Sequence, residues 1–140
     1  MFFGEYTYKV DEKGRVPIPS KFRREMREKI ILSRGPDKCI TVYPISELNK
    51  LSETLASRAI GKTASRTLNR AIFGSAFDAS FDKQGRVVLP TVLREFADIK
   101  DEITIVGVNN TVEMWNTALW KEEQQKANEQ YSQIIESLEV

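Results

Sequence analysis

Apolar and polar residues alternate at Tyr6-x-Tyr8-x-Val10 and again at Phe77-x-Ala79-x-Phe81. A period of two predicts a half-buried strand at each place. Each run enters a turn, Asp11-Glu12-Lys13-Gly14 or Asp82-Lys83-Gln84-Gly85. An aspartate there bonds backbone donors two residues on, and the glycine tolerates positive φ. Alternation resumes over Arg15–Ile18 and Arg86–Leu89, so each turn reads as the tip of a hairpin. Pro17 has no backbone donor, which puts its strand at an edge or interrupts it. Pro19 and Pro90 end these strands, and Ser20 and Thr91 are N-cap candidates for short helices. Those helices turn Phe22 and Met26, or Leu93 and Phe96/Ala97, to one face. Third strands follow at 29–33 and 102–106, glycine turns at 35–38 and 107–110, and fourth strands at 39–43 and 111–115.

The pattern therefore occurs twice. DEKGRVPIP at 11–19 returns as DKQGRVVLP at 82–90, displaced by 71 positions; by the fourth strand the displacement is 72, which implies one residue inserted near the second short helix. Each copy is β-turn-β-helix-β-turn-β in about 45 residues, too little to bury its own apolar faces. The expected fold class is α+β: two tandem repeats interleaved into one pseudo-symmetric β-barrel. Residues 5–51 form the first repeat, 52–75 a helical connector, 76–119 the second repeat and 120–140 a C-terminal helical tail. In the helical parts, Ser46 is placed to cap a helix bearing Leu48, Leu51 and Leu55. Thr63 is placed to cap another bearing Ala64, Leu68, Ala71 and Ile72, stopped by Gly74. A long helix runs from about Thr117 toward Glu139. Its stripe of Leu119, Trp120, Ala127, Tyr131, Ile134/Ile135 and Leu138 reads as core or subunit contact.

Charge changes the picture only when it is divided. The whole chain is +1, but residues 1–75 hold 15 Lys+Arg against 8 Asp+Glu, and residues 76–140 hold 6 against 12. One half suits a polyanion, and the two halves suit each other. Histidine is absent and Cys39 is the single cysteine. No internal disulfide, no Cys/His zinc site and no His-based catalytic pair can be built. With no convergent carboxylates either, the reading is a non-enzyme with no metal, cofactor or small-molecule substrate. No run of 18 apolar residues and no secretory leader is present, so a cytoplasmic protein without a membrane partner is expected.

The chemistry worth testing lies at the turns. An arginine directly after a tight turn is placed to grip guanine O6 and N7, or a phosphate, and a two-stranded ribbon fits the major groove. The aspartate four residues earlier braces the guanidinium or fixes the turn. Lys9, Lys13, Lys21, Arg23, Arg24, Arg27 and Lys29 add charge for phosphates; positions 9–38 hold 10 basic and 5 acidic residues. The plain alternative is that Arg15 merely pairs with Asp11 across its turn, contributing little. Gly14, Gly85, Pro19 and Pro90 read as structural. Arg58, Lys62, Arg66 and Arg70 form a second basic face that solvation alone explains.

DEKGRVPIPSKFRREM and DKQGRVVLPTVLREFA, on tandem β-rich halves, resemble the MraZ family, each half similar to the AbrB-type swapped-hairpin fold. The resemblance covers about Tyr6 to Trp120. It implies a bacterial transcriptional regulator that assembles into a ring and binds tandem direct repeats before the division and cell-wall gene cluster. Its signature, Asp-x-x-x-Arg, falls on Asp11 and Arg15 and on Asp82 and Arg86, both intact. The implied DNA-binding set is then Asp11, Lys13, Arg15, Asp82, Gln84 and Arg86, with Arg23 and Arg24 beside it. Gln84 in place of Lys13 weakens the second site electrostatically. The implied partners are duplex DNA and further copies of the chain, joined head to tail, in a cytoplasmic, nucleoid-associated setting.

Rival readings are a ring-forming structural or protein-interaction module without DNA contact, a toxin-neutralising partner, and, more distantly, an enzyme. Residues 56–63, ASRAIGKT, fit a relaxed P-loop pattern. They follow an amphipathic helical pattern where a phosphate loop needs a buried strand, so nucleotide binding is not expected. Asn109-Asn110-Thr111 matches a glycosylation acceptor that no secretion signal makes relevant.

Overall fold

The computed structural model describes residues 1–27, 29–57 and 60–139. In chain order the elements are β1 (Phe2–Lys9), β2 (Arg15–Pro17), α1 (Ser20–Glu25), β3 (Ile30–Arg34), β4 (Ile40–Pro44), α2 (Ile45–Ser57) and α3 (Lys62–Ile72). They continue as β5 (Phe77–Ala79), β6 (Arg86–Val88), α4 (Thr91–Phe96), β7 (Glu102–Asn109), β8 (Val112–Asn116) and α5 (Thr117–Ser137).

Strands are exchanged between the repeats. β1 pairs antiparallel with β7 of the second repeat, from Phe2↔Asn109 to Lys9↔Glu102. Reciprocally, β5 pairs with β3 of the first, Ala79 opposite Ile30 and Phe77 opposite Leu32. β4 and β8 join the halves at the centre, Ile40 opposite Met114 and Val42 opposite Val112. Among the described residues this gives one six-stranded antiparallel sheet, β1-β7-β8-β4-β3-β5, and a separate two-stranded sheet, β2-β6. The expected α+β class and interleaved repeats are present, but not a closed barrel: among the described residues β1 and β5 are edges, and neither sheet closes on itself. The expected hairpins are corrected too. β2 pairs with β6 rather than with the strand before its own turn, so the two returns form one ribbon.

Alternation explains why the exchange is stable. Ile30, Leu32, Ile40, Val42, Ile103, Ile105, Val112 and Met114 all face one side of the large sheet and are almost wholly buried. Val16 and Val87, paired across the ribbon, cover them from the other side with Ile18, Leu89, Phe22 and Leu93. Phe22 on α1 meets Phe2 and Tyr6 of β1 edge-on, at centroid distances of 5.7 and 5.5 Å. These edge contacts add to the area that each ring buries. On the outer face of the sheet, Ile31 and Tyr43 pack under Leu48, Leu51 and Ile72 of α2 and α3. Cys39, Val106 and Trp115 pack under Leu119 and Trp120 of α5.

Several local readings change. α1 and α4 are capped at Pro19 and Pro90 without a side-chain bond, so Ser20 and Thr91 are first helical residues rather than N-caps. α3 begins at Lys62 after Gly61, one residue before Thr63, and α2 begins at Ile45, one before Ser46. By contrast Asn116 does cap α5, accepting a bond from the Leu119 amide at 3.1 Å. Gly107 is not in a turn. It lies within β7, opposite both Gly4 and Val112, where a Cβ would run into the backbone of Phe2 and Phe3. The turn lies at 110–111, with Asn109 at φ 78°. The repeat offset is also finer than one insertion. Tyr6↔Ile105 mirrors Phe77↔Leu32, and Leu32↔Val42 mirrors Ile105↔Met114, so β3 and β7 are displaced by 73 while β4 and β8 are displaced by 72. Two residues are added after α4, and one is lost from the following turn. The P-loop-like segment follows helix α2, not a strand; Arg58 and Ala59 within it lie outside the described residues.

Candidate nucleic-acid interface

The ribbon is built from two equivalent turns. In each, the glycine amide donates to the aspartate carbonyl at 3.0 Å, and the aspartate amide donates to the arginine carbonyl at 3.0 Å (Asp11) or 2.9 Å (Asp82). The aspartate side chain then organises the rest. Asp11 Oδ1 accepts from the amides of Lys13 and Arg15 at 3.0 and 2.8 Å; Asp82 Oδ1 accepts from those of Gln84 and Arg86 at 2.9 Å each. Both glycines stand at φ 76°, a conformation that side chains resist. The turn thus needs aspartate at its entry and glycine fourth, which is why both recur.

The second carboxylate oxygen takes the arginine. Arg15 Nε donates to Asp11 Oδ2 at 2.6 Å and Arg86 Nε to Asp82 Oδ2 at 2.8 Å. Both aspartates have carboxyls held below the usual carboxylate range. The backbone donor of the arginine is the chief cause, with its side chain and the Lys13 or Gln84 amide adding to it. Each aspartate therefore does both things expected of it: it fixes the turn and braces the guanidinium.

The pairing Arg15↔Val88, Val16↔Val87, Pro17↔Arg86 decides the geometry. Val16 and Val87 point into the core, so Arg15, Pro17, Arg86 and Val88 share the outer face. The arginines are diagonal neighbours on one ribbon rather than residues of two separate fingers. Arg86 Nη1 also lies 3.7 Å from Asp11 Oδ2, tying the motifs together across the repeat boundary. Their side chains are only 30% and 27% exposed.

The other nominated residues divide. Lys13 and Gln84 sit exposed at the two tips, and Arg24 is exposed on α1. Arg23 is turned inward and donates to the Ile18 carbonyl. Pro19 and Pro90 serve as helix caps. Lys21 stacks 3.3 Å above the Phe3 ring, and Lys29 pairs with Asp78 at 2.9 Å. Two residues were not singled out from sequence. Val88 is an apolar side chain, 59% exposed, on the outer face of the ribbon. Arg94 is the counterpart of Arg23 and approaches the Gly14 turn. The displacement of 71 would have found Arg94; its destination, the opposite repeat, is a product of the exchange. Among the described residues no group of three or more acidic, cysteine or histidine side chains is arranged to hold a metal.

Two interleaved halves that exchange strands and present one arginine-bearing ribbon define a tandem-repeat α+β protein with strand exchange. Comparison with known proteins gives its family. A family model for the MraZ protein, an antitoxin-like class, matches twice, over residues 1–71 and 72–138. The chain is 46% identical over 140 residues to the transcriptional regulator MraZ of Dehalococcoides mccartyi, covering 99% of both chains. It is 41% identical to that of Halothermothrix orenii and 42% identical to that of Lactobacillus gasseri. Each of these matches runs over 139 residues and covers 99% of this chain and 97% of the relative. The chain belongs to the MraZ family.

Proposed function

We propose that this chain is a sequence-specific DNA-binding transcriptional regulator that reads tandem direct repeats upstream of a division and cell-wall gene cluster. The observation that carries the reading is the ribbon: two buttressed arginines, Arg15 and Arg86, are diagonal neighbours on the outer face of one two-stranded surface. A ribbon of that kind enters the major groove, where the η nitrogens of each fork match guanine O6 and N7, Arg86 Nη1 exchanging its 3.7 Å contact with Asp11 for the base. Val88 between them suits a thymine methyl. Asp11 and Asp82 aim the forks, Lys13 and Gln84 lie at the tips toward phosphates, and Arg24 flanks them. Arg23 contributes from behind by holding the ribbon. Because both motifs meet on one surface, one subunit reads one continuous stretch, and successive repeats take successive subunits. Repeats at 5–51 and 76–119, with a connector at 52–75 and a tail at 120–140, are the units of this reading.

Several subunits are held in register by head-to-tail assembly into a ring. The far half of α5 leaves Tyr131, Ile134 and Leu138 exposed, with Glu129, Glu136 and Glu139 beside them. Between α2 and α3 lies an apolar groove lined by Tyr43, Leu51, Leu68 and Ile72, with Arg34 at its wall and Arg70 beside it. An acidic apolar stripe and a basic apolar groove on opposite halves are complementary and heterologous, the contact type that closes rings. The regulator of this reading is cytoplasmic and nucleoid-associated, as a partner of chromosomal DNA has to be; no helix among the described residues is long and apolar enough to cross a membrane.

Duplex selected from a randomised pool by the chain, compared with a scrambled duplex at several salt concentrations, tests the reading. Specific readout gives a preference that survives moderate salt. Equal binding to both duplexes, or none, favours the ring-forming interaction module without DNA readout.

A further inference from the structure

Behind the ribbon, each repeat reaches into the turn of the other. The guanidinium of Arg23, from α1, lies flat against Gly85; a Cβ there would fall 2.5 Å from its Cζ and 2.8 Å from its Nε. The same group donates to the Ile18 carbonyl, and the Ile18 amide in turn donates to the Gly85 carbonyl at 3.1 Å. Two hydrogen bonds, together with one close contact of Arg23, thereby enclose the tip that carries Arg86. Arg94, from α4, occupies the matching position over Gly14, whose Cβ would lie 3.1 Å from its Nη1. The Leu89 amide donates to the Gly14 carbonyl at 2.8 Å, the counterpart of the Ile18–Gly85 bond.

We propose that Arg23 and Arg94 are crossed positioning residues: Arg23 sets the tip that presents Arg86, and Arg94 sets the tip that presents Arg15. The glycines are then required for contact as well as for their positive φ. They are the places where a guanidinium from the other repeat seats against bare backbone.

The two clamps are unequal. Arg94 Nη2 donates to the Lys100 carbonyl at 3.1 Å, and its buried Nε has no hydrogen-bond partner among the described residues. Its anchor lies in the segment between α4 and β7, where the second repeat carries its added residues. Arg23 instead anchors on Ile18, immediately after β2. The tip of Arg86 is therefore held more firmly than the tip of Arg15, and removing Arg23 has the larger effect.

The inference rests on the DNA-binding reading for its consequence but not for its geometry, so two measurements are made on the full chain. The first is amide hydrogen exchange without DNA. Arg23→Lys, which keeps the charge and loses the flat fork, accelerates exchange at Gly85 and Arg86 well above Gly14 and Arg15. Arg94→Lys does the reverse, more weakly. Unchanged rates, or acceleration within the substituted residue's own repeat, overturn the clamp whether or not DNA binds. The second is a double-mutant cycle with the selected duplex. Arg23→Lys lowers specific affinity about tenfold alone and in Arg15→Ala, but adds little to Arg86→Ala. Additivity with both arginine variants overturns the crossed positioning even if specific binding is confirmed. If the wild-type chain selects no duplex, the functional reading fails and hydrogen exchange alone decides the clamp.

Discussion

Arg86 Nη1 stands 3.7 Å from Asp11 Oδ2, a carboxylate that already holds Arg15 Nε at 2.6 Å. Asp11 thus serves the arginines of both repeats, whereas Asp82 holds Arg86 at 2.8 Å from its own turn. Asp11→Asn is expected to weaken specific binding more than Asp82→Asn. Titration of the selected duplex with each variant checks this; equal losses would show the cross-repeat contact to be immaterial.

The same carboxylates give a pH dependence with a defined sign. Both are held below the ordinary aspartate value by backbone amides and the arginine. A folded-state pKa below the unfolded value of about 4 means that the stabilisation is fully present above that pH. It is lost as pH falls through the lower, folded value. The expected result is a carboxyl titration for Asp11 and Asp82, followed by NMR, with midpoints below about 4. Binding should be insensitive to these groups between pH 5 and pH 8, as an order-of-magnitude window.

Gly85→Ala and Gly14→Ala should both destabilise, because alanine at φ 76° is strained by roughly 1–3 kcal/mol. Gly85→Ala should cost more, since its methyl must also expel the anchored guanidinium of Arg23. Urea unfolding of the two variants gives the comparison, and the opposite order would contradict it.

Phe22 is wholly buried where α1, β1 and the ribbon converge. Phe22→Ala should cost about 3–5 kcal/mol in urea unfolding and loosen the ribbon from behind. Cys39 supplies a label for the same transition. It is wholly buried, and burial raises its thiol pKa, so alkylation should proceed only as the chain unfolds.

Assembly is tested on the outer helices. Ile134→Asp on α5 and Leu68→Asp on α3 should each lower the mass seen by light scattering while leaving the circular dichroism of the fold intact. A monomeric wild-type chain at low and moderate salt would contradict head-to-tail assembly.

Periodicity made most elements legible. Tyr6, Tyr8, Ile103 and Ile105 announce strands and their buried faces, and Asp11-x-x-Gly14 announces its turn with the right side-chain bonds. Partners were not legible, because alternation says which face is buried and not against which strand. That is why two hairpins were expected where β2 and β6 pair. β1 runs back to Phe2, a start hidden because Gly4 interrupts the apolar alternation. Gly107 looked like a turn residue because glycine is common in turns; here it admits the backbone of Phe2 and Phe3. Ser20 and Thr91 looked like caps, but proline preset the preceding dihedrals and the helices begin one residue earlier than a serine or threonine cap requires. The arginines of the candidate site were legible from the repeat. Their convergence on one ribbon required the strand exchange.

The most direct test is the affinity of Arg15→Ala and Arg86→Ala for selected and scrambled duplex at matched salt. Each substitution should lower specific affinity by about 1–3 kcal/mol while leaving binding to the scrambled duplex nearly unchanged. Unaltered affinity for the selected duplex, or the same loss on both duplexes, would contradict base readout by the ribbon.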